Sequence, residues 1–260
     1  MTVRDIYEII EKRSPFEEAL SWDNSGLLVG DFYQEVSGIY LALDATDEVI
    51  ENAKSKGCDL IITHHPLIFT KISNITEDDF VGRRVKHLIE HGMSLICMHT
   101  NYDIYGMADY AAKKLSLVEP RVLDICGLSG DEEVGIGRIG SLVNEITLRT
   151  LADQVKGIFG LKSVKVFGAA DEPVRLAAIC PGSGKSVVDT AIEQGADVLI
   201  TGDIDHHTGI DANMRSLSII DAGHYGIEHI FMEEMETFLT EKIKDIKIFT
   251  EPFGEPFWVM

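Results

Sequence analysis

Long apolar runs are missing from this chain of 260 residues, and none approaches the roughly 18 residues a bilayer-spanning helix requires. The opening Met1-Thr2-Val3-Arg4-Asp5 leads directly into a helical pattern rather than a signal-peptide core, so a cytoplasmic protein is expected. Cysteine is scarce as well. Cys58, Cys97, Cys126 and Cys180 form no CxxC pair, which excludes a zinc knuckle or a thioredoxin-type motif. At least three lie in or beside apolar runs, which predicts buried thiols in a reducing compartment. Basic residues are few: 23 Lys and Arg stand against 43 Asp and Glu, a formal net charge of −20. That balance argues against broad electrostatic binding to nucleic acid or to an anionic membrane, but not against a local site where bound cations reverse the sign.

What is present begins with Gly57-Cys58-Asp59-Leu60-Ile61-Ile62-Thr63-His64-His65-Pro66. Apolar and β-branched residues after a helix-stopping glycine predict a buried strand, so His64 and His65 fall at its carboxyl end, where ligands bind in open α/β sheets. Pro66 forbids continuation of the ladder, and the turn it forces lets both imidazoles face one cavity. Imidazole is the commonest metal ligand; the blander alternative is a pair that caps a strand and bonds nearby backbone.

Around this stretch the chain predicts an α/β fold. Val3, Ile6, Ile9 and Ile10 recur at helical spacing until Pro15, and Trp22-Asp23-Asn24-Ser25-Gly26 is a polar turn before a short strand. Gly38 to Leu43 reads as a buried strand, with Thr46 capping the helix that follows. A helix from about Asp79 to Glu90 and a strand from Met93 to Met98 lead to His99-Thr100-Asn101-Tyr102-Asp103, and a helix from Met107 to Leu115 comes next. Residues 117 to 175 are less regular. Within them Gly135-Ile136-Gly137-Arg138-Ile139-Gly140 matches GxGxxG, yet it continues like a strand and lacks the helix a dinucleotide site needs. Gly182-Ser183-Gly184-Lys185-Ser186 resembles a phosphate loop, but Ile179 occupies the place of its first glycine.

Gly195-Ala196-Asp197-Val198-Leu199-Ile200-Thr201 echoes the segment from Gly57 to Thr63, and Leu217 to Ile220 echoes Met93 to Met98. Two related α/β halves are expected, 1–125 and 126–260, forming one structural unit with strand ends around a shared cleft. The second half supplies Asp221-Ala222-Gly223-His224-Tyr225-Gly226-Ile227-Glu228, in which His224 and Glu228 share one helix face. HExxH is absent, so no single-zinc peptidase is implied. An i,i+4 pair alone can be a surface contact. Convergence changes that reading: His64, His65, Asp103, His224 and Glu228 all follow predicted strands. Three imidazoles and two carboxylates exceed what one tetrahedral ion takes and suit a bridged pair, whereas as unpaired core residues they would be costly.

The ordered motifs Trp22-Asp23-Asn24, Leu43-Asp44-Ala45-Thr46, Thr63-His64-His65-Pro66, His99-Thr100-Asn101-Tyr102-Asp103, Thr201-Gly202-Asp203 and Gly223-His224-Tyr225-Gly226-Ile227-Glu228 resemble the Nif-three-like family. Its members are often labelled GTP cyclohydrolase type 2 homologues. The resemblance covers nearly the whole chain. It implies two interlinked α/β domains with a metal cleft at strand carboxyl ends, commonly assembled as a homohexameric ring whose metal sites face an internal cavity. It also implies two metal ions, with His65 and Asp103 on one, His64 and His224 on the other, and Glu228 bridging. The chain lacks the length for the inserted domain of some members, and it has Tyr102 where a leucine is usual.

The expected function is a dinuclear-metal hydrolase acting on a nucleotide-like or otherwise anionic small molecule; GTP ring opening is the version the family label implies. The rival is a non-catalytic metal-binding assembly or partner-binding protein. Zinc, manganese, iron, cobalt and nickel all tolerate mixed nitrogen and oxygen ligands. His99 is a candidate catalytic neighbour, orienting the Asp103 loop or meeting substrate, or else a satisfied strand-end histidine. Thr63, Gly202, Asp203 and His207 are candidate substrate contacts, although Asp205-His206-His207 reads more readily as an exposed turn. His87, His91 and His229 fall on helix surfaces.

Overall fold

The computed structural model describes residues 1–258 and 260. The chain forms two compact units, Met1–Tyr102 with Phe231–Phe253, and Asp103–Ile230 with Gly254–Met260. The chain passes from one unit to the other at Tyr102/Asp103, and the first unit is discontinuous in sequence.

The first unit opens with α1 (Val3–Glu11), β1 (Gly26–Val29), β2 (Gly38–Ala42), α2 (Asp47–Ser55), β3 (Leu60–Thr63), α3 (Phe80–Glu90), β4 (Ser94–Cys97) and the short α4 (Thr100–Tyr102). The second holds α5 (Ala108–Lys114), β5 (Val118–Ser129), β6 (Glu132–Thr147), α6 (Leu148–Ile158), β7 (Lys165–Phe167), β8 (Pro173–Ser183), α7 (Val188–Glu193), β9 (Val198–Gly202), α8 (His206–Met214), β10 (Ser218–Asp221) and α9 (His224–Glu228). The chain then returns to the first unit within α10 (Ile230–Lys242), which precedes β11 (Lys247–Thr250).

Each unit is built on one mixed sheet and has its own core. The first sheet has the order β1-β4-β3-β2-β11, in which β4, β3, β2 and β11 run parallel and β1 is antiparallel to β4. The second has the order β5-β6-β8-β9-β10-β7, in which β8, β9 and β10 run parallel and β7 is antiparallel to β10. Every residue of β2, β3, β4, β9 and β10 is buried, as a parallel sheet covered on both faces demands. Tyr40, Ile50, Ile61 and Leu88 centre one apolar cluster, and Leu123, Ile139, Leu199 and Ile219 centre the other.

The echo in the sequence is an echo in structure. Gly57 and Gly195 both take φ values near +70°, at 70° and 76°, and end α2 and α7 in the left-handed conformation that a side chain would strain. Two residues on, Asp59 accepts hydrogen bonds from the Ser37 and Gly38 amides, and Asp197 accepts them from Arg175 and Leu176. Each carboxylate thus pins the start of one parallel strand to the next. At the other end, Thr63 and Thr201 carbonyls accept from the Met98 and Ala222 amides.

The middle of the chain departs from its irregular sequence pattern, because 117–175 contains the two longest strands. Glycine interrupts the alternation there for a steric reason. A Cβ at Gly135 would lie 2.0 Å from the Asp124 carbonyl oxygen, and one at Gly140 would lie 2.9 Å from that of Val118. The GxGxxG segment is therefore part of β6, where close strand approach, not a cofactor, requires the glycines. Cys126 also departs from expectation: it is exposed on β5, an edge strand, while Cys58, Cys97 and Cys180 are buried. No helix among the described residues is long and apolar enough to cross a membrane.

Candidate metal centre

In the first unit three imidazoles gather just beyond β3 and β4. His64 is fully buried, and its Nδ1 donates to the Met98 carbonyl at 2.8 Å. His65 is half-buried, its amide donating to the Leu43 carbonyl and its Nδ1 meeting Asp44 Oδ1 at 2.9 Å. His99 Nδ1 meets Asp23 Oδ1 at 2.8 Å. His64, His65 and His99 each offer a ring nitrogen, all within 4.8 Å of one another.

Asp23 is the anchor of this corner. Its side chain is wholly enclosed and accepts from the Thr100 amide and hydroxyl and from the Ser25 hydroxyl. Burial pulls its pKa up, but the hydrogen bonds from His99 and Thr100 outweigh it and hold the carboxyl well below the usual range.

In the second unit His224 opens α9 after Gly223. Its Nδ1 meets Asp203 Oδ2 at 2.8 Å and its Nε2 lies 2.9 Å from Oε2 of the buried Glu228. Gly182 makes room for that carboxylate: a Cβ there would lie 2.3 Å from Glu228 Oε1, and its φ of +78° already excludes most side chains. Asp103 is half-buried at the head of a π-helical turn, Asp103–Met107, a distortion of the helix that begins at Thr100. Burial, with the charges of Asp103 and Glu228 nearby, pushes the Cys180 thiol far up and keeps it neutral.

One rule covers all four histidines. Each has Nδ1 on an acceptor that cannot donate, a carbonyl or a carboxylate, so Nδ1 carries a proton; in a neutral His64, His65 or His99 ring this leaves the lone pair on Nε2, whereas His224 Nε2 faces the Glu228 carboxylate as well. A neutral ring protonated on Nδ1 is the tautomer a metal requires, with the acceptor fixing the ring's direction. The acceptors come from neighbouring strands: Asp44 follows β2 and turns to His65 after β3, while Asp203 follows β9 and turns to His224 after β10. The residues thus suit divalent cations, with imidazole nitrogens and carboxylate oxygens as the donor set.

The remaining candidates are placed differently. Thr63 is buried and donates its hydroxyl to the His65 carbonyl, 2.9 Å away. Gly202 lets β9 approach α9, since a Cβ would lie 2.6 Å from the His224 amide nitrogen. Asp203 takes φ +56° and holds the His224 ring. His206 and His207 are exposed in the first turn of α8, which Asp205 caps. The Gly182 to Ser186 segment builds no phosphate cradle: Lys185 pairs with Asp205 at 2.7 Å, and Gly184 packs on Thr201. Sequence reasoning left Asp23 and Asp44 without a role. The signal available was spacing, because Asp44 to His65 and Asp203 to His224 both span 21 residues.

Two α/β units, each ending its parallel strands in oriented imidazoles or carboxylates, define a protein with candidate metal-ligating clusters on a duplicated sheet plan. The chain belongs to the Duf34/NIF3 (NGG1p interacting factor 3) family, whose model matches residues 1–253. It is 36% identical over 247 residues to a Clostridium perfringens protein named GTP cyclohydrolase 1 type 2 homolog, covering 94% of this chain and 92% of that one. A crystal structure of a Staphylococcus aureus hypothetical protein aligns with TM-score 0.90 at 31% identity, over 100% of this chain and 99% of that one. A Bacillus cereus protein related to NIF3 aligns with TM-score 0.94 at 24% identity, over the same shares, and supports the fold.

Proposed function

We propose that this chain is a metal-dependent hydrolase that holds two divalent cations through His64, His65, Asp103, His224 and Glu228 and acts on an anionic, nucleotide-like small molecule. The observation that supports it is the engagement of Nδ1 in His64, His65 and His224, which leaves Nε2 as the ligating atom. A pair of divalent cations would supply Lewis acidity and lower the pKa of water towards neutrality. The residues supply the rest. Asp44, Asp203 and the Met98 carbonyl aim the rings, the Asp103 and Glu228 carboxylates offset cation charge, and His99, held on Asp23, presents Nε2 to a substrate proton. The curated relative's name points to a purine nucleotide among possible substrates. Self-association into a ring of copies belongs to the same reading.

The test is metal content per chain for the native protein and His65→Ala, paired with a hydrolysis screen of GTP, dinucleotides and phosphodiesters on metal-loaded samples. Two ions per native chain, fewer in the variant, and turnover that falls with them are expected. Two ions without turnover would favour the non-catalytic assembly, and no bound ion would overturn the ligand set.

A further inference from the structure

A cavity of about 460 Å³ has His65 and Asp44 at one end and is otherwise lined by residues outside the candidate metal ligands. Its volume falls within the roughly 300–1,000 Å³ range of small-molecule sites. Phe69 and Phe80 line it with more than half their surface exposed, at 57% and 56%. Trp22, 58% exposed, stands 5.9 Å from Phe69 and 5.9 Å from the His99 ring, so exposed aromatic rings run from the cavity wall to the histidine cluster. Leaving three large rings in water forgoes burial that the core could have taken, and such patches mark binding sites.

Two cations face the same space. Arg84 is fixed there, its guanidinium 5.2 Å over the Phe80 ring and 3.3 Å from Asp47. Lys71 is exposed on the wall and makes no ion pair among the described residues. The acids that line the cavity are already engaged: Asp44 accepts from His65, and Asp79 caps α3 by accepting from the Gly82 amide. In a chain with net charge −20, an uncommitted lysine between exposed aromatic rings is a specific provision for an anion.

We infer that this cavity binds a planar aromatic ring carrying an anionic group, with Phe69 and Phe80 against the ring and Lys71 and Arg84 on the anion. The inference rests on the metal-site reading only for its orientation, in which His65 marks the end where the reacting bond lies. Stacking and charge are sequence-blind forces, so the recognition is of ring plus anion, shared by mononucleotides and aromatic carboxylates.

The experiment titrates GMP, guanosine, ribose 5-phosphate and nicotinate into metal-free and metal-loaded protein by calorimetry, for the native chain, Phe69→Ala and Lys71→Ala. Metal content and oligomeric state are recorded for each. GMP or nicotinate is expected to bind the native protein, and the tighter of the two identifies the source of the ring and anion. Guanosine and ribose 5-phosphate should bind about tenfold or more weakly than GMP, and each variant should lose about tenfold for the tighter ligand. Metal content should be unchanged, since both side chains are exposed and neither is a ligand. Absence of binding, binding indifferent to both substitutions, or a change of oligomeric state in its place would overturn the inference. Loss of metal binding in the native chain would instead overturn the hydrolase reading, while titration of the metal-free protein still decides the cavity.

Discussion

At the scale of single residues, the decisive atoms are the carboxylate oxygens behind the histidines. Asp203 is half in solvent and contributes little to packing, yet it holds Nδ1 and so the aim of the His224 ring. Asp203→Asn is expected to weaken metal affinity about 10–100-fold while leaving the urea midpoint nearly unchanged, as measured by competition with a chelator and by denaturation. An unchanged affinity would show that His224 needs no such support. The histidines were legible in the sequence because a strand that stops at His-His-Pro leaves polar groups where burial would not. Their acceptors were not, because Asp44 and Asp203 read as ordinary acids after a strand. What makes them partners is the lateral pairing of parallel strands, which no local pattern states.

Between elements, glycine sets the spacing. Gly184 sits where β8 leaves the sheet, and a Cβ there would lie 2.0 Å from Thr201 Oγ1 and 2.6 Å from Thr201 Cβ. Thr201 belongs to β9 and its hydroxyl donates to the Gly182 carbonyl, so neither side can yield without loosening the β8–β9 pairing. Gly184→Ala is expected to cost about 1–3 kcal/mol of stability, read as a lowered urea midpoint at constant slope. A variant as stable as the native chain would mean that the loop relaxes freely. The same glycines looked like a phosphate loop in sequence, since small residues before Lys185 serve anion cradles and tight packing alike. The helices were easier. Thr46 caps α2 as its position predicted, and Asp79 and Thr147 cap α3 and α6 in the same way, because a cap is a contact across three residues.

For the molecule as a whole, β5 is a 12-residue edge strand that exposes Val118, Ile125 and Leu128, the last at 65%. A long apolar edge is a template for pairing with another chain. Native mass spectrometry is expected to find multiples of the chain mass, and Ile125→Asp with Leu128→Asp should shift the distribution to the single chain. A native protein found only as single chains would refute this. The α/β class, the strands that end at the histidine motifs and the echo between Gly57–Thr63 and Gly195–Thr201 followed from the sequence by itself, because each depends on periodicity and punctuation within a few residues. Three things did not. The return of Phe231–Phe253 to the first sheet, the hairpin hidden among glycines, and the acceptor behind each imidazole were decided by tertiary structure. Each depends on backbone pairing or a single hydrogen bond between segments that no local pattern links, from Val118 with Ser141 to Gly38 with Lys247. Such contacts exist only once the sheets have formed.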